Sequence, residues 1–366
     1  MASTLLPELV EEILLRVPPD EPAHLIRAAL VCKPWCHILS DRRFLRRYRS
    51  FHRSPPLLGY IHNLYYPLRK GQQSSRFVPT TIPSPVSTPA IGCRWWAFDC
   101  RHGRVLVKVF GDDPCRLVVW NPITGEQHDV SEPPCSRSTT TTHAVLCAME
   151  GCDHLDCHGG PFLVVLVETS NGGEDPLMVS VYLSDTGVWS ARTYNIDVDF
   201  RFKYFDQPSV LAGDALYFTF GECWMSGILK YDLCKYELSV IDMPAGDEDF
   251  TAKSLIKLEE GGIGLVSMLD NCIYMWSRTD SIGGWVEHRV MELDMLLHKH
   301  DQSYASSVIG IVEGTNTIFI STYAIFTLDL KSRQARKVGE NRDPYCPMLP
   351  YMSFYTPKLA SCLSLL

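Results

Sequence analysis

The sequence predicts an α+β multidomain chain: a short module of three or four helices, then an all-β propeller of about six blades. Three observations predict it. Helix-period apolar residues are confined to the first fifty positions of the 366-residue chain. Beyond them, β-rich runs recur roughly every fifty residues with an aromatic at a fixed place in each. No apolar run approaches the roughly 20 residues of a membrane-crossing helix. The longest, FLVVLV, covers only 162–167.

The helices are read in order. Leu6, Leu9, Ile13, Leu14 and Val17 follow steps of three and four, which predicts a first helix with these residues on one stripe. Pro7 suits its opening turn, where a missing N–H costs nothing, and Pro18-Pro19 closes it. Asp20 is the expected cap of a second helix, with Pro22 in its first turn and Leu25, Ala28, Ala29 and Cys32 on one face. Pro34 interrupts that run, because the residue before a proline avoids helical torsions. A third helix carries Trp35, Ile38 and Leu39, and Ser40-Asp41 introduces a fourth through Phe44, Leu45 and Tyr48. So small a module cannot bury all this apolar surface by itself, and something must cover the remainder.

Past the Pro-rich stretches SPPLL and TTIPSPVSTP the pattern becomes strand–turn–strand. The recurring units lie at 104–130, 178–194, 209–244, 261–293 and 306–338. Their matching aromatics, Trp120, Tyr182, Tyr231, Trp276 and Phe326, are separated by 62, 49, 45 and 50 residues. That period, with about four strands per unit, predicts propeller blades, the aromatic packing between neighbours. Residues 57–90 or 91–103, with the ending YCPMLPYMSFYTP, are the expected source of a sixth blade, since a closed ring leaves no bare edge.

Charge and cysteine use exclude several classes. Residues 1–50 carry a net charge of +2 and the remainder −10, a poor surface for nucleic acid. The basic run RRFLRRYR at 42–49 reads as one solvated helix face. Glu8, Glu11 and Glu12 interrupt the N-terminal apolar stretch, unlike a secretory or transit signal, so a cytoplasmic or nuclear location is expected. The 14 cysteines are scattered without a disulfide framework and are expected to be reduced thiols packed as small hydrophobes.

The segment LLPELVEEILLRVPP…HLIRAALVCKPWCHILSDRRFL resembles an F-box, over about residues 4–50. The likeness rests on the Leu6-Pro7 opening, Ile13-Leu14, and Val31-Cys32-Lys33-x-Trp35 with Phe44 beyond. The turn Trp120-Asn121-Pro122-x-Thr124-Gly125 and the terminal PYMSFYTP resemble the F-box-associated β-propeller domains of plant F-box proteins. The resemblance implies an F-box domain at 1–50, a connector at 51–90 that includes the first propeller strands, and a propeller at 91–366. It further implies a non-catalytic substrate receptor of an SCF-type cullin-RING ubiquitin ligase. The F-box would meet a Skp-type adaptor and, through it, cullin and RING subunits, while the propeller would bind a target protein for ubiquitination. Leu6, Pro7, Leu9, Ile13, Leu14, Val31, Cys32 and Trp35 are the residues expected to bind the adaptor or to shape its docking surface. Target-binding residues are not legible in the sequence. No membrane, nucleic acid or cofactor is expected.

Two other classes remain open at this stage, beside an F-box protein acting outside a ligase. A carbohydrate-binding propeller would use Trp95, Trp96, Trp224 and Trp285 as exposed platforms. A hydrolytic propeller would need polar groups converging in the central channel, although G-x-S-x-G, G-x-x-x-x-G-K-[ST] and H-E-x-x-H are all missing from the sequence. GGIG at 261–264 has no helix after it, against a dinucleotide loop. The cluster CDHLDCH offers Cys152, Asp153, His154, Asp156, Cys157 and His158. Its C-x4-C spacing between glycines reads as a connecting loop, and no metal is expected there.

Overall fold

The computed structural model describes residues 6–66, 72–80, 86, 94–111, 115–131, 133, 140–155, 157–169, 177–194, 207–222, 225–244, 253–269, 272–278, 284–293, 306–340 and 347–355. Four helices come first: α1 (Pro7–Leu15), α2 (Pro22–Ala29), α3 (Lys33–Ser40) and α4 (Arg42–His52). Prolines occupy the first turns of α1, α2 and α3. Asp41 caps α4, its carboxylate accepting from the backbone N–H groups of Arg43 at 2.7 Å and Phe44 at 3.2 Å. The expected Asp20 cap is not used. Glu21 precedes Pro22 and makes no side-chain capping bond.

The stripe expected on α1 divides in two. Val10, Leu14 and Leu15 enter a core with Leu25, Ala29, Cys36, Leu39, Phe44 and Tyr48. Leu6, Leu9 and Ile13 stay outside. At ~100° per residue these apolar side chains span more than half the helix circumference, and the core receives only one side. Tyr48 and His52 of α4 tie down the end of α1 through the carbonyls of Val17 at 2.7 Å and Leu15 at 2.9 Å. The basic face of α4 is mostly solvated, except that Arg49 is buried and Arg47 pairs with Glu11 and Glu12.

The chain then enters β1 (Leu57–Tyr66) and β2 (Gln72–Pro79), and five four-stranded antiparallel meanders follow. They are β3 (Trp95–Arg101) to β6 (Gln127–Val130), with β4 (Arg104–Val109) and β5 (Arg116–Trp120) between; and β7 (Thr140–Cys147), β8 (Phe162–Thr169), β9 (Leu177–Leu183) and β10 (Val188–Tyr194). The third holds β11 (Val210–Ala212), β12 (Ala215–Glu222), β13 (Met225–Asp232) and β14 (Glu237–Asp242). The fourth holds β15 (Ser254–Lys257), β16 (Ile263–Leu269), β17 (Cys272–Arg278) and β18 (Trp285–Glu292). In the fifth are β19 (Ser307–Ile311), β20 (Thr317–Ser321), β21 (Ala324–Asp329) and β22 (Gln334–Glu340). The last strand, β23 (Met348–Met352), returns to pair with β1 and completes a sixth sheet in the order β2-β1-β23.

These six sheets form a closed ring. The strands β3, β7, β11, β15, β19 and β23 are innermost, with β11 against β15, β15 against β19, β19 against β23, β23 against β3, and β3 against β7. Each of six apolar clusters joins two neighbouring blades, from Leu58, Ile61 and Tyr351 against Val105 and Trp120 round to Tyr60 and Met348 against Phe319. Trp120, Tyr182, Tyr231, Trp276 and Phe326 all lie on the third strand of their blades and all are buried. The turn leaving that strand recurs as well. Asn121, Asp232 and Asp329 each accept two backbone N–H groups of the residues two and three ahead, which is the local reason for Asn and Asp there. Among the described residues the cysteines form no disulfide.

The helical module sits on the face where the innermost strands end. Its core takes in Phe354, just beyond β23, whose ring meets Tyr48 edge-on at 6.2 Å. Leu155, in the loop from β7 to β8, packs against the same core.

Candidate docking surface and the axial network

The side chains selected from the sequence fall into three groups. Leu6, Leu9, Ile13 and Val31 are 63, 52, 51 and 62 % exposed, and Pro7 is exposed beside them. Leu6, Leu9 and Ile13 follow steps of three and four and so share one face of α1. Cys32 and Trp35 are half-buried, Trp35 packing against the helical core at the start of α3. Leu14 is only 1 % exposed and belongs wholly to that core. Its part in any docking is therefore indirect: it fixes the helix whose opposite face is bare. Leu30, at the end of α2, is a further exposed apolar residue that the sequence reading passed over.

Exposed leucines and isoleucines in so small a module are informative because the ring was free to cover them and does not. The propeller seats the module through Phe354 and Leu155 instead. A contiguous apolar helix face that its own chain leaves in water is the ordinary form of a protein-docking surface.

The ring axis carries a second arrangement, which the sequence did not reveal. Arg101, at the end of β3, is buried and reaches three blades. It pairs with Asp99 at 3.1 Å, donates to the Ser209 carbonyl at 2.6 Å, and meets Glu313, just past β19, at 3.3 Å. Asp99 also accepts the backbone N–H groups of Val145 at 2.8 Å and Cys100 at 2.9 Å. Burial outweighs the neighbouring guanidinium and lifts the Asp99 carboxyl to about 6. Asp99, Arg101, Ser209 and Glu313 thus form a clamp across alternate blades of the ring.

Two of the four tryptophans named as sugar platforms, Trp95 and Trp285, are otherwise engaged. Trp95 is buried, edge-on to Trp120 at 6.0 Å, and Trp96 is half-buried. The Trp285 indole donates to the Asp242 carbonyl at 2.7 Å. Trp224 lies outside the described residues.

A four-helix module with a bare apolar face, fixed to one face of a six-bladed ring, has the build of an F-box protein of the propeller class. The F-box domain profile matches residues 3–47. The profile described as "F-box protein AT5G49610-like, beta-propeller" matches residues 96–359, and the chain belongs to that family. The F-box/kelch-repeat protein At3g61590 of Arabidopsis thaliana is 26% identical over 233 residues, 60% of this chain. The match takes in 52% of the relative, so the chain spans about half the length of that curated protein. Similar solved structures include TolB from Acinetobacter baumannii, with TM-score 0.44 and 12% identity over 82% of this chain and 69% of that one. A putative TolB from Agrobacterium tumefaciens has TM-score 0.41 and 12% identity over 81% and 98% of the two chains.

Proposed function

We propose that the chain is a substrate-recognition subunit of an SCF-type cullin-RING E3 ubiquitin ligase. The observation that carries this reading is the uncovered face of α1: Leu6, Leu9 and Ile13 remain in water while their neighbours Val10, Leu14 and Leu15 are sealed. F-box domains generally bind Skp-type adaptors, and this is the face we assign to that contact, with Pro7 and Val31 beside it and Cys32 and Trp35 shaping its edge. Cullin and RING subunits would join through the adaptor. The chain itself makes no bond in this scheme. It holds a target lysine close to the charged conjugating enzyme, so that its contribution is effective concentration.

The target is assigned to the face where the innermost strands begin, since the helical module occupies the opposite one. Action in the cytoplasm or nucleus follows from the same reading. The test is reconstitution: purified full-length chain mixed with a Skp-type adaptor, cullin and RING subunit should elute as one complex. Absence of the adaptor from the complex overturns the proposal. Adaptor without cullin would instead identify an F-box protein working outside a ligase.

A further inference from the structure

We propose that the β7–β8 loop is a structural zinc site built from Cys147, Cys152, His154 and Cys157. The C-x4-C spacing of Cys152 and Cys157 alone argued for a plain connector, because structural zinc needs four ligands from anchored segments. The fold supplies what the spacing lacked. Cys147, the last residue of β7, is brought to the loop, and the sulfur and imidazole nitrogen atoms of the four residues all lie within 4.8 Å of one another. A tetrahedral ion with Zn–S near 2.3 Å and Zn–N near 2.0 Å sets its ligand atoms ~3.6–3.8 Å apart. The Cys157 Sγ and His154 Nδ1 already stand at 3.7 Å. Small side-chain rotations bring in the others. Of the other residues in the motif, Asp153 holds the Leu155 N–H at 3.1 Å, and Asp156 lies outside the described residues, as does the His158 side chain.

The surroundings suit thiolates. The backbone N–H of Met149 points at the Cys147 sulfur and that of His154 at the Cys152 sulfur, each at 3.4 Å. Such donors stabilise a metal-bound thiolate and fix its direction. Arg104 of the neighbouring blade is buried, 2 % exposed, and its guanidinium lies 4.0 Å from the Cys157 sulfur. Among the described residues no carboxylate stands within ion-pair distance of it. Three thiolates, a neutral imidazole and Zn²⁺ sum to one negative charge, which supplies the counter-ion that a buried arginine requires.

Both ends of the site are anchored. Cys147 belongs to a strand, and the Cys157 and Gly160 carbonyls accept from Arg104. The His154 ring is held flat against His102, with centroids 3.9 Å apart and planes 10° apart. Sulfur and imidazole in a tetrahedral array select zinc over magnesium or calcium. The consequence reaches beyond the loop. Leu155, between two of the ligands, packs into the core of the helical module, so the ion would fix the seat of the F-box on the propeller.

The experiment is metal analysis of untagged full-length protein purified under reducing conditions, followed by Co²⁺ substitution. We expect about one zinc per chain and, with Co²⁺, the visible bands of a tetrahedral ion and a near-ultraviolet thiolate-to-metal band. Cys147→Ser and His154→Asn should each weaken Zn²⁺ binding at least 100-fold, whereas Cys234→Ser, at an exposed thiol elsewhere, should not. Fewer than 0.1 zinc per chain with all thiols reduced, and no tetrahedral Co²⁺ spectrum in the wild type, would overturn the proposal. So would zinc retained undiminished by Cys147→Ser. The wild-type Co²⁺ spectrum decides the matter even where a variant folds poorly.

Discussion

Ile13 and Leu14 are adjacent on α1 and have opposite environments, which makes them a paired test of the docking face. Ile13 is 51 % exposed, so about half its side chain is available for an adaptor to cover. Full burial of such a side chain contributes ~1.5–3 kcal/mol, and half of that is ~1 kcal/mol. Ile13→Ala should therefore weaken adaptor binding about fivefold. Ile13→Asp adds an unpaired carboxylate at an apolar contact, costing a further ~3–5 kcal/mol. The combined loss is three to four orders of magnitude in Kd. The isolated chain should scarcely notice, because a substitution on the water side of a helix changes stability by no more than ~0.5 kcal/mol. Leu14→Asp reverses this pattern: it places a charge in the core and should unfold the helical module itself. Titration calorimetry against a Skp-type adaptor, with far-ultraviolet circular dichroism alongside, separates the cases. If Ile13→Asp binds within threefold of wild type, the α1 face is not the docking surface.

Three further outcomes follow from the fold. Arg101→Met leaves Asp99 buried without its cation and should cost ~3–5 kcal/mol, lowering the thermal midpoint by several degrees; an unchanged midpoint would show that the axial clamp holds nothing. Glu168 is buried, and burial pushes its carboxyl up to about 7, above its unfolded range. The folded state thus favours the protonated form. That stabilisation is complete below pH ~4 and disappears as pH rises through about 7. Glu168→Gln should accordingly raise stability at pH 8 by up to ~3 kcal/mol and leave it unaltered at pH 4, by urea titration at the two pH values. Asp41→Ala removes the cap of α4 and should cost ~1 kcal/mol in the unfolding of the helical module, read from its urea midpoint.

How much of this was legible depended on the distance over which each feature is built. The blade aromatics were readable because each belongs to a local strand–turn–strand unit; Trp120, Tyr182, Tyr231 and Trp276 reach the clusters between blades, but in the fifth unit that place is taken by Leu328, and Phe326 lies two residues short of it. Closure was half legible: the final strand suggested a partner near the start, but only the register pairs Ile61 with Leu349. The face of α1 was not legible, since periodicity gives the apolar arc of a helix and not which half its neighbours cover. Leu14 looked like Ile13 for that reason. Arg101 and its partners Ser209 and Glu313 are 108 and 212 residues apart in sequence, and no local pattern records such a meeting. Cys147 was hidden differently. Within an apolar strand it reads as a small hydrophobe, and only the return of the loop shows that it ends beside other thiols.

The pairing of β1 with β23 has a consequence for the order in which the chain can mature. A ribosome releases residues 57–66 long before residues 348–352 exist, so β1 must wait, with one side unpartnered, through the synthesis of five complete blades. Phe354, which completes the seat of the helices, arrives only a few residues after that. The nascent polypeptide therefore has an early period in which all four helices have been made while the ring is still open. A message truncated before Met348 would freeze the protein in that condition, with β1 lacking its second neighbour and the helices lacking Phe354.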